Sequence, residues 1–192
     1  MSDAASIVDL DETDADGRRQ AAEVLYEAFR ALGNRTWPSV AAAEKEVSDC
    51  LQPPRLCRAL VLNGRVVAWG GLRPMYGTVT WELHPLVVHP DAQGRGLGGR
   101  LLTDLEHRAR QRGATGILLG SDDQTGSTSL SAVDFSTTPV GDAIAVIASI
   151  PGRPPHPWRF YASHGYRIVG VIPDANGPGE PDILMWKGLG GG

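Results

Sequence analysis

The sequence predicts an α/β fold of the α+β kind, with a central mixed, mostly antiparallel sheet of six to seven strands flanked by helices. Three observations carry this expectation. Arg58 to Leu62 and Arg65 to Leu72 are apolar segments flanking Asn63-Gly64, the strongest short-range hairpin signal. A third extended segment, Thr80 to His89, runs into the glycine-rich turn Gln93 to Gly99. From Gly96 to Arg112, residues Leu97, Leu101, Leu102, Leu105 and Ala109 recur at helical spacing, and the short apolar run Ile117 to Leu119 follows. Strand, helix and strand make a βαβ unit, so its two strands are expected to lie parallel.

The remaining elements follow in order. Ser6 to Leu10 is a short first strand, and the acidic stretch Asp9 to Asp16 reads as a solvated turn and cap. Ala21, Ala22, Leu25, Phe29 and Leu32 place an amphipathic helix over Arg18 to Leu32, stopped by Gly33-Asn34. Ser39 is placed to cap a second helix ending near Leu51. Pro74 to Gly77 turns the chain into the strand that precedes the glycine turn. Residues 121 to 156 are polar, then apolar, then proline-rich, a connection of a length that is functional or disordered in compact domains. Pro157 suits the first turn of a short helix, Trp158 to His164. Strands at Arg167 to Ile172 and Asp182 to Trp186 close the fold. One domain is expected over 1–189, with 190–192 a flexible tail.

A chain of 192 residues with 42% hydrophobic and 21% charged residues has globular composition. The net charge of −4 argues against nonspecific nucleic-acid binding and suits a cationic partner. The N-terminus lacks a basic, then apolar, leader pattern and no stretch reaches membrane-spanning length, so a cytoplasmic protein is expected. Cys50 and Cys57 lack metal-ligand spacing and read as reduced thiols, with no metal site.

Gly94, Gly96, Gly98 and Gly99 expose backbone N–H groups where a helix N-terminus adds its positive end, a recipe for holding phosphates. A dinucleotide fingerprint would follow the first strand and carry an acid about 20 residues on. A Walker A loop would require Gly-Lys-Ser/Thr. Neither pattern is met. An Arg near a helix start opposes the dipole, so Arg95 and Arg100, with Gln93, are easier to account for if an anion binds between them.

Gln93-Gly94-Arg95-Gly96-Leu97-Gly98 resembles the [QR]xxGx[GA] signature of the GNAT superfamily of N-acetyltransferases. Phe160 to Tyr166 (FYASHGY) is similar to that family's second signature. The resemblance narrows toward aminoglycoside 6′-N-acetyltransferases through Thr36-Trp37-Pro38, Trp81 to Val88, Leu119 to Asp123, and Ile168 to Ile183. It implies the GNAT fold and acetyl-CoA as cofactor, its pyrophosphate on the amides of Gln93, Gly94, Arg95, Gly96, Leu97, Gly98, Gly99 and Arg100. It further implies the pantetheine arm along Leu86, Val87 and Val88, a cationic aminoglycoside as acceptor, antibiotic resistance as the consequence, and a homodimer. Phe135 to Pro155 departs from the pattern, being longer and richer in Gly and Pro, and lies in the region that helps build the acceptor pocket.

Acetyl transfer to an amine needs a polarised thioester, a neutral attacking nitrogen and a protonated leaving thiolate. Backbone N–H groups near Val87 and Val88 are candidate oxyanion donors. On a strand Glu82, His84, Leu86 and Val88 share one side. A lone Glu on a strand is ordinarily a surface residue or an ion-pair partner. The matched string makes Glu82 the candidate base or acceptor anchor and His84 its hydrogen-bonding neighbour. Tyr161, by default a packing residue, is by the resemblance the acid for the departing sulfur. Asp122, Asp123 and Asp134, with Asp182 behind them, are candidate carboxylates for a polycation, and Trp37 and Tyr76 candidate walls of the acceptor site. The competing functions are a GNAT enzyme acting on a polyamine or protein N-terminus, and a catalytically silent acyl-CoA-binding module.

Overall fold

The computed structural model describes residues 5–10 and 15–190. The acidic turn at Asp11 to Asp14 and the tail residues Gly191 and Gly192 lie outside the described residues. The chain divides into two compact units, Met1–Ile117 with Leu189–Gly192, and Leu118–Gly188. Each is described by itself.

The first unit contains β1 (Ala5–Asp9), α1 (Ala15–Ala31), α2 (Val40–Cys50), β2 (Leu56–Leu62), β3 (Arg65–Met75), β4 (Thr80–Val88), a 3-10 turn (Pro90–Ala92) and α3 (Leu97–Gln111). β5 (Gly116–Asp122) begins in it and ends in the second unit. β1 to β4 lie side by side in sequence order, every neighbouring pair antiparallel. The hairpin expected at Asn63-Gly64 forms with φ of 51° and 77°, the left-handed pair of a type I′ turn. Ser39 caps α2, its hydroxyl accepting from the Ala42 N–H at 3.2 Å.

Side-chain alternation on β3 places helices on both faces of these strands. Trp69 is fully buried and donates its indole N–H to the Ala21 carbonyl of α1 at 2.8 Å. Its neighbour Gly70 faces α3, where a Cβ would stand 2.8 Å from Leu105 Cδ1. Trp69, Leu25, Leu60, Leu72, Leu101, Leu102 and Leu105 are fully buried, each contributing roughly 1.5–3 kcal/mol. Arg58, 4% exposed, is bound by Asp104 at 2.6 Å and by Asp9, so its buried charge is compensated.

The second unit contains the end of β5, a 3-10 turn (Ser129–Ala132), α4 (Val140–Ala145), α5 (Trp158–Ser163), β6 (Arg167–Ile172) and β7 (Asp182–Gly188). β7 lies between β5 and β6 and is antiparallel to β6. Gly120 on β5 touches Asp182 on β7 closely enough that a Cβ would fall 2.5 Å from Oδ2. Residues 121 to 156 are neither disordered nor structureless. A bridge joins Thr128 to Ser149, the Ile150 N–H donates to the Ser127 carbonyl at 2.8 Å, and α4 occupies part of the apolar run. The sequence alone does not reveal α4, because six residues are too few to show a 3.6 period.

Candidate functional site

β4 alternates as its sequence implies. Trp81, Leu83, Pro85 and Val87 are buried, while Glu82, His84, Leu86 and Val88 are half-buried on the other side. The His89 N–H donates to the Val67 carbonyl of β3 at 2.8 Å. Since successive strand amides alternate, the Val88 N–H and C=O are directed away from β3. The Gln93 amide donates to that carbonyl at 3.0 Å, tying the glycine turn to the strand end. His89 shapes the intervening turn, its Nδ1 accepting from the Asp91 N–H at 3.2 Å.

Gly94 and Gly96 have φ of 72° and 74°, and Gly96 is the N-cap of α3. A side chain at either would meet nothing within 4 Å, so glycine is required by the backbone angle and the space above the turn is open. The first turn of this 15-residue helix carries no acid. Its leading amides, Leu97, Gly98 and Gly99, lack intrahelical acceptors and stand at the positive end of the dipole. Open space, outward amides and the absence of a competing carboxylate fit a pyrophosphate. Leu97 has only its backbone to offer there, its side chain being 6% exposed in the core. Arg100 is drawn elsewhere, its guanidinium donating to the Ala5 carbonyl of β1 at 3.2 Å.

Glu82 does not stand alone. Arg73, its cross-strand partner on β3, donates Nε to Glu82 Oε2 in a close ion pair. The Arg73 guanidinium is held above its ordinary range, chiefly by this hydrogen bond. Two residues along, His84 Nε2 lies 3.4 Å from Glu46 Oε1 of α2. Glu46 also accepts from the Cys50 thiol at 3.3 Å. The hydrogen bond from His84 lowers the Glu46 carboxyl to about 2 against the cost of its burial, with smaller help from His84's charge, Cys50 and Trp37.

Trp37 and Tyr76, expected as walls for an acceptor, are placed differently. Trp37 is 8% exposed, edge-on to Phe29 at 4.3 Å and tilted against the His84 ring at 5.9 Å, so it is a core residue that backs His84. Tyr76 is 79% exposed at φ 46° in the β3–β4 turn.

In the second unit Asp122 and Asp123, read from sequence as a pair, part company. Asp123 is fully buried. Its Oδ1 accepts from the Ser127 N–H at 2.6 Å, and Oδ2 from the N–H and hydroxyl of Thr128, both at 2.8 Å. Its place is that of a loop anchor, since both oxygens are consumed by the connection it holds. Asp122 is half-buried, its Oδ1 accepting from the Asn176 amide at 2.7 Å. Asp134 is exposed and accepts from the N–H and hydroxyl of Ser136, bonds that lower its carboxyl.

Buried His156 had no sequence signal. Its Nδ1 accepts from the Trp158 N–H at 3.2 Å, which fixes the proton on Nε2, donated to the Asp122 carbonyl at 3.2 Å. Burial lowers its pKa and keeps the ring neutral. It thereby ties the start of α5 to the end of β5. On α5, Tyr161 packs between Phe160 and Tyr166, with ring centroids at 5.1 and 5.8 Å. Desolvation among these neighbours pushes its phenol above the ordinary tyrosine range, so it retains its proton.

The acetyltransferase (GNAT) family model matches residues 21–135. A solved aminoglycoside 6′-N-acetyltransferase complexed with coenzyme A is 34% identical over 97% of this chain and 98% of its own, with a TM-score of 0.85. The aminoglycoside 6′-N-acetyltransferase from Enterococcus faecium is likewise 34% identical over the same shares, at 0.83. A local match of 48% over 42 residues to tRNA(Met) cytidine acetyltransferase TmcA of Aeropyrum pernix covers 22% of this chain and 6% of that protein.

Proposed function

The chain belongs to the acetyltransferase (GNAT) family, and on that premise we propose that it carries the acetyl group of acetyl-CoA to the 6′-amine of an aminoglycoside. The observation that carries this reading is the single strand β4, which presents Glu82 and His84 on its accessible side and runs directly into the open glycine turn of α3. The two aminoglycoside 6′-N-acetyltransferases at 34% identity over nearly their whole length support the acceptor class.

When bound, acetyl-CoA supplies an acyl group already activated by a thiolate leaving group. The amides of Leu97, Gly98 and Gly99 receive its pyrophosphate, and the outward Val88 N–H is the donor for the carbonyl oxygen as negative charge develops there. Arg73 occupies Glu82 Oε2, which favours Glu82 as an anchor that receives a substrate ammonium at Oε1. Asp122 adds negative charge for the polycation. Tyr161, kept protonated by desolvation, holds the proton that the sulfur takes on leaving. Positioning amine and acyl group together supplies much of the rate.

The test is release of free CoA from acetyl-CoA with kanamycin, spermidine or a short peptide as acceptor. Kanamycin is expected to stimulate release most. Release with spermidine or peptide alone would move the chain to another amine, and binding of acetyl-CoA without CoA release in the presence of any of the three acceptors would favour a silent binding module.

A further inference from the structure

Acetyl transfer to an amine requires a group that receives the acceptor's proton, and the first unit contains an arrangement suited to it. Resting on the acceptor reading above, we propose that His84 is the catalytic base, taking the amine's proton on Nδ1, and that Glu46 is the positioning residue that holds its ring.

The Nε2–Oε1 contact of 3.4 Å puts the proton of neutral His84 on Nε2, because a carboxylate can only accept. Nδ1 is then the basic nitrogen. As the amine attacks, its N–H proton passes to Nδ1, a C–N bond forms, the C–S bond breaks, and the sulfur leaves with the electron pair. His84 becomes imidazolium and Glu46 stays a carboxylate beside it, compensating the new charge as a buried carboxylate does for a histidine base. Glu46 is suited to this, since its carboxyl is lowered to about 2 and remains charged at every working pH.

The surroundings pin His84 from several sides. Trp37 backs the ring at 5.9 Å. The Cys50 thiol reaches the His84 carbonyl at 3.6 Å as well as Glu46. Gly71 lies against the same carbonyl, where a Cβ would come within 2.6 Å. The titratable and charged groups facing this cluster are Glu46 and Cys50 on α2, Cys57 on β2, Arg73 on β3 and Glu82 on β4. Cys50 is kept as the thiol, its pKa raised chiefly by its hydrogen bond with Cys57 and by burial. Glu82 is already engaged by Arg73, which leaves His84 as the accessible group on this side of β4 with a basic nitrogen.

Two measurements decide it. The first is the ring-nitrogen tautomer of His84, read by 15N NMR on the whole protein without any acceptor. Hydrogen on Nε2 is expected, and hydrogen on Nδ1 overturns the proposal. The second is the pH profile of kcat and KM for the wild type, His84→Asn and Glu46→Gln, with kanamycin and acetyl-CoA. His84→Asn is expected to lower kcat about a hundredfold. Glu46→Gln should lower it about tenfold and move the acid limb of the profile to lower pH. Loss confined to KM for kanamycin, or an unmoved acid limb in Glu46→Gln, overturns it. Binding of acetyl-CoA by calorimetry separates these results from misfolding. If the wild type turns over no aminoglycoside, the acceptor reading fails by itself and the tautomer decides the Glu46–His84 pairing.

Discussion

The α-carbon of Gly71 is packed against the backbone of His84, so closely that a Cβ would stand 2.6 Å from the His84 carbonyl oxygen and 3.5 Å from the sulfurs of both Cys50 and Cys57. The near neighbour is backbone, which cannot swing aside. β4 bulges here, its residues His84 and Pro85 opposing the single residue Gly71 between the pairs Gly70–Leu86 and Leu72–Leu83. Gly71→Ala is therefore expected to destabilise the fold by about 1–3 kcal/mol and to lower kcat more than KM for acetyl-CoA, because it moves the accessible side of β4 and not the glycine turn. Urea unfolding with steady-state kinetics checks both parts.

Glu46 gives the acid limit of stability a specific source. Its carboxyl is depressed in the folded protein to about 2 from 4.5, so its contribution is present above 4.5 and is lost as pH falls from there through about 2. The full span would correspond to roughly 3–4 kcal/mol, and solvent screening of this half-buried carboxyl brings its contribution down to about 1–2 kcal/mol. Glu46→Gln should flatten the pH dependence of the urea midpoint between about pH 5 and about pH 2. An unchanged slope would remove Glu46 from the account of acid stability.

Tyr161 is half-buried, and the desolvation it meets among its neighbours raises its phenol, so it keeps its proton. Tyr161→Phe is expected to lower kcat at least about tenfold while leaving the dissociation constant of acetyl-CoA within about twofold. Full activity in Tyr161→Phe would reduce the residue to packing against Phe160 and Tyr166.

Asp123 is expected to act on stability and not on acceptor choice. Its two oxygens accept three hydrogen bonds, and asparagine offers one oxygen and an N–H pair directed at donors. Asp123→Asn should cost roughly 3 kcal/mol or more, measured by thermal unfolding, with relative kcat/KM values across several aminoglycosides unchanged. A selective change in one acceptor would return Asp123 to the binding site.

What the sequence revealed, and what it hid, has a common physical basis. Local chemistry was legible, as in the Ser39 cap, the Asn63-Gly64 hairpin, the left-handed glycines at 94 and 96, and the alternation of β4. Partnerships across elements were not. Placing the turn at Pro74 to Gly77 ended β3 too early, whereas β3 continues to Met75 and brings Arg73 opposite Glu82. The contact between Glu46 and His84 joins residues 38 apart in sequence, on a helix and a strand, with no spacing rule to announce it. Asp122 and Asp123 look alike as letters, yet one is half-buried and the other anchors a loop. Trp37, in a loop next to proline, gave no sign of its contact with Phe29.

The most direct measurement of the central claim compares kanamycin with an analogue bearing a hydroxyl in place of the 6′-amine, under saturating acetyl-CoA. The expected result is one equivalent of free CoA per kanamycin, a product acetylated on the 6′-nitrogen by NMR, and no turnover of the analogue. Equal turnover of the analogue, or a product acetylated on another nitrogen, would contradict it.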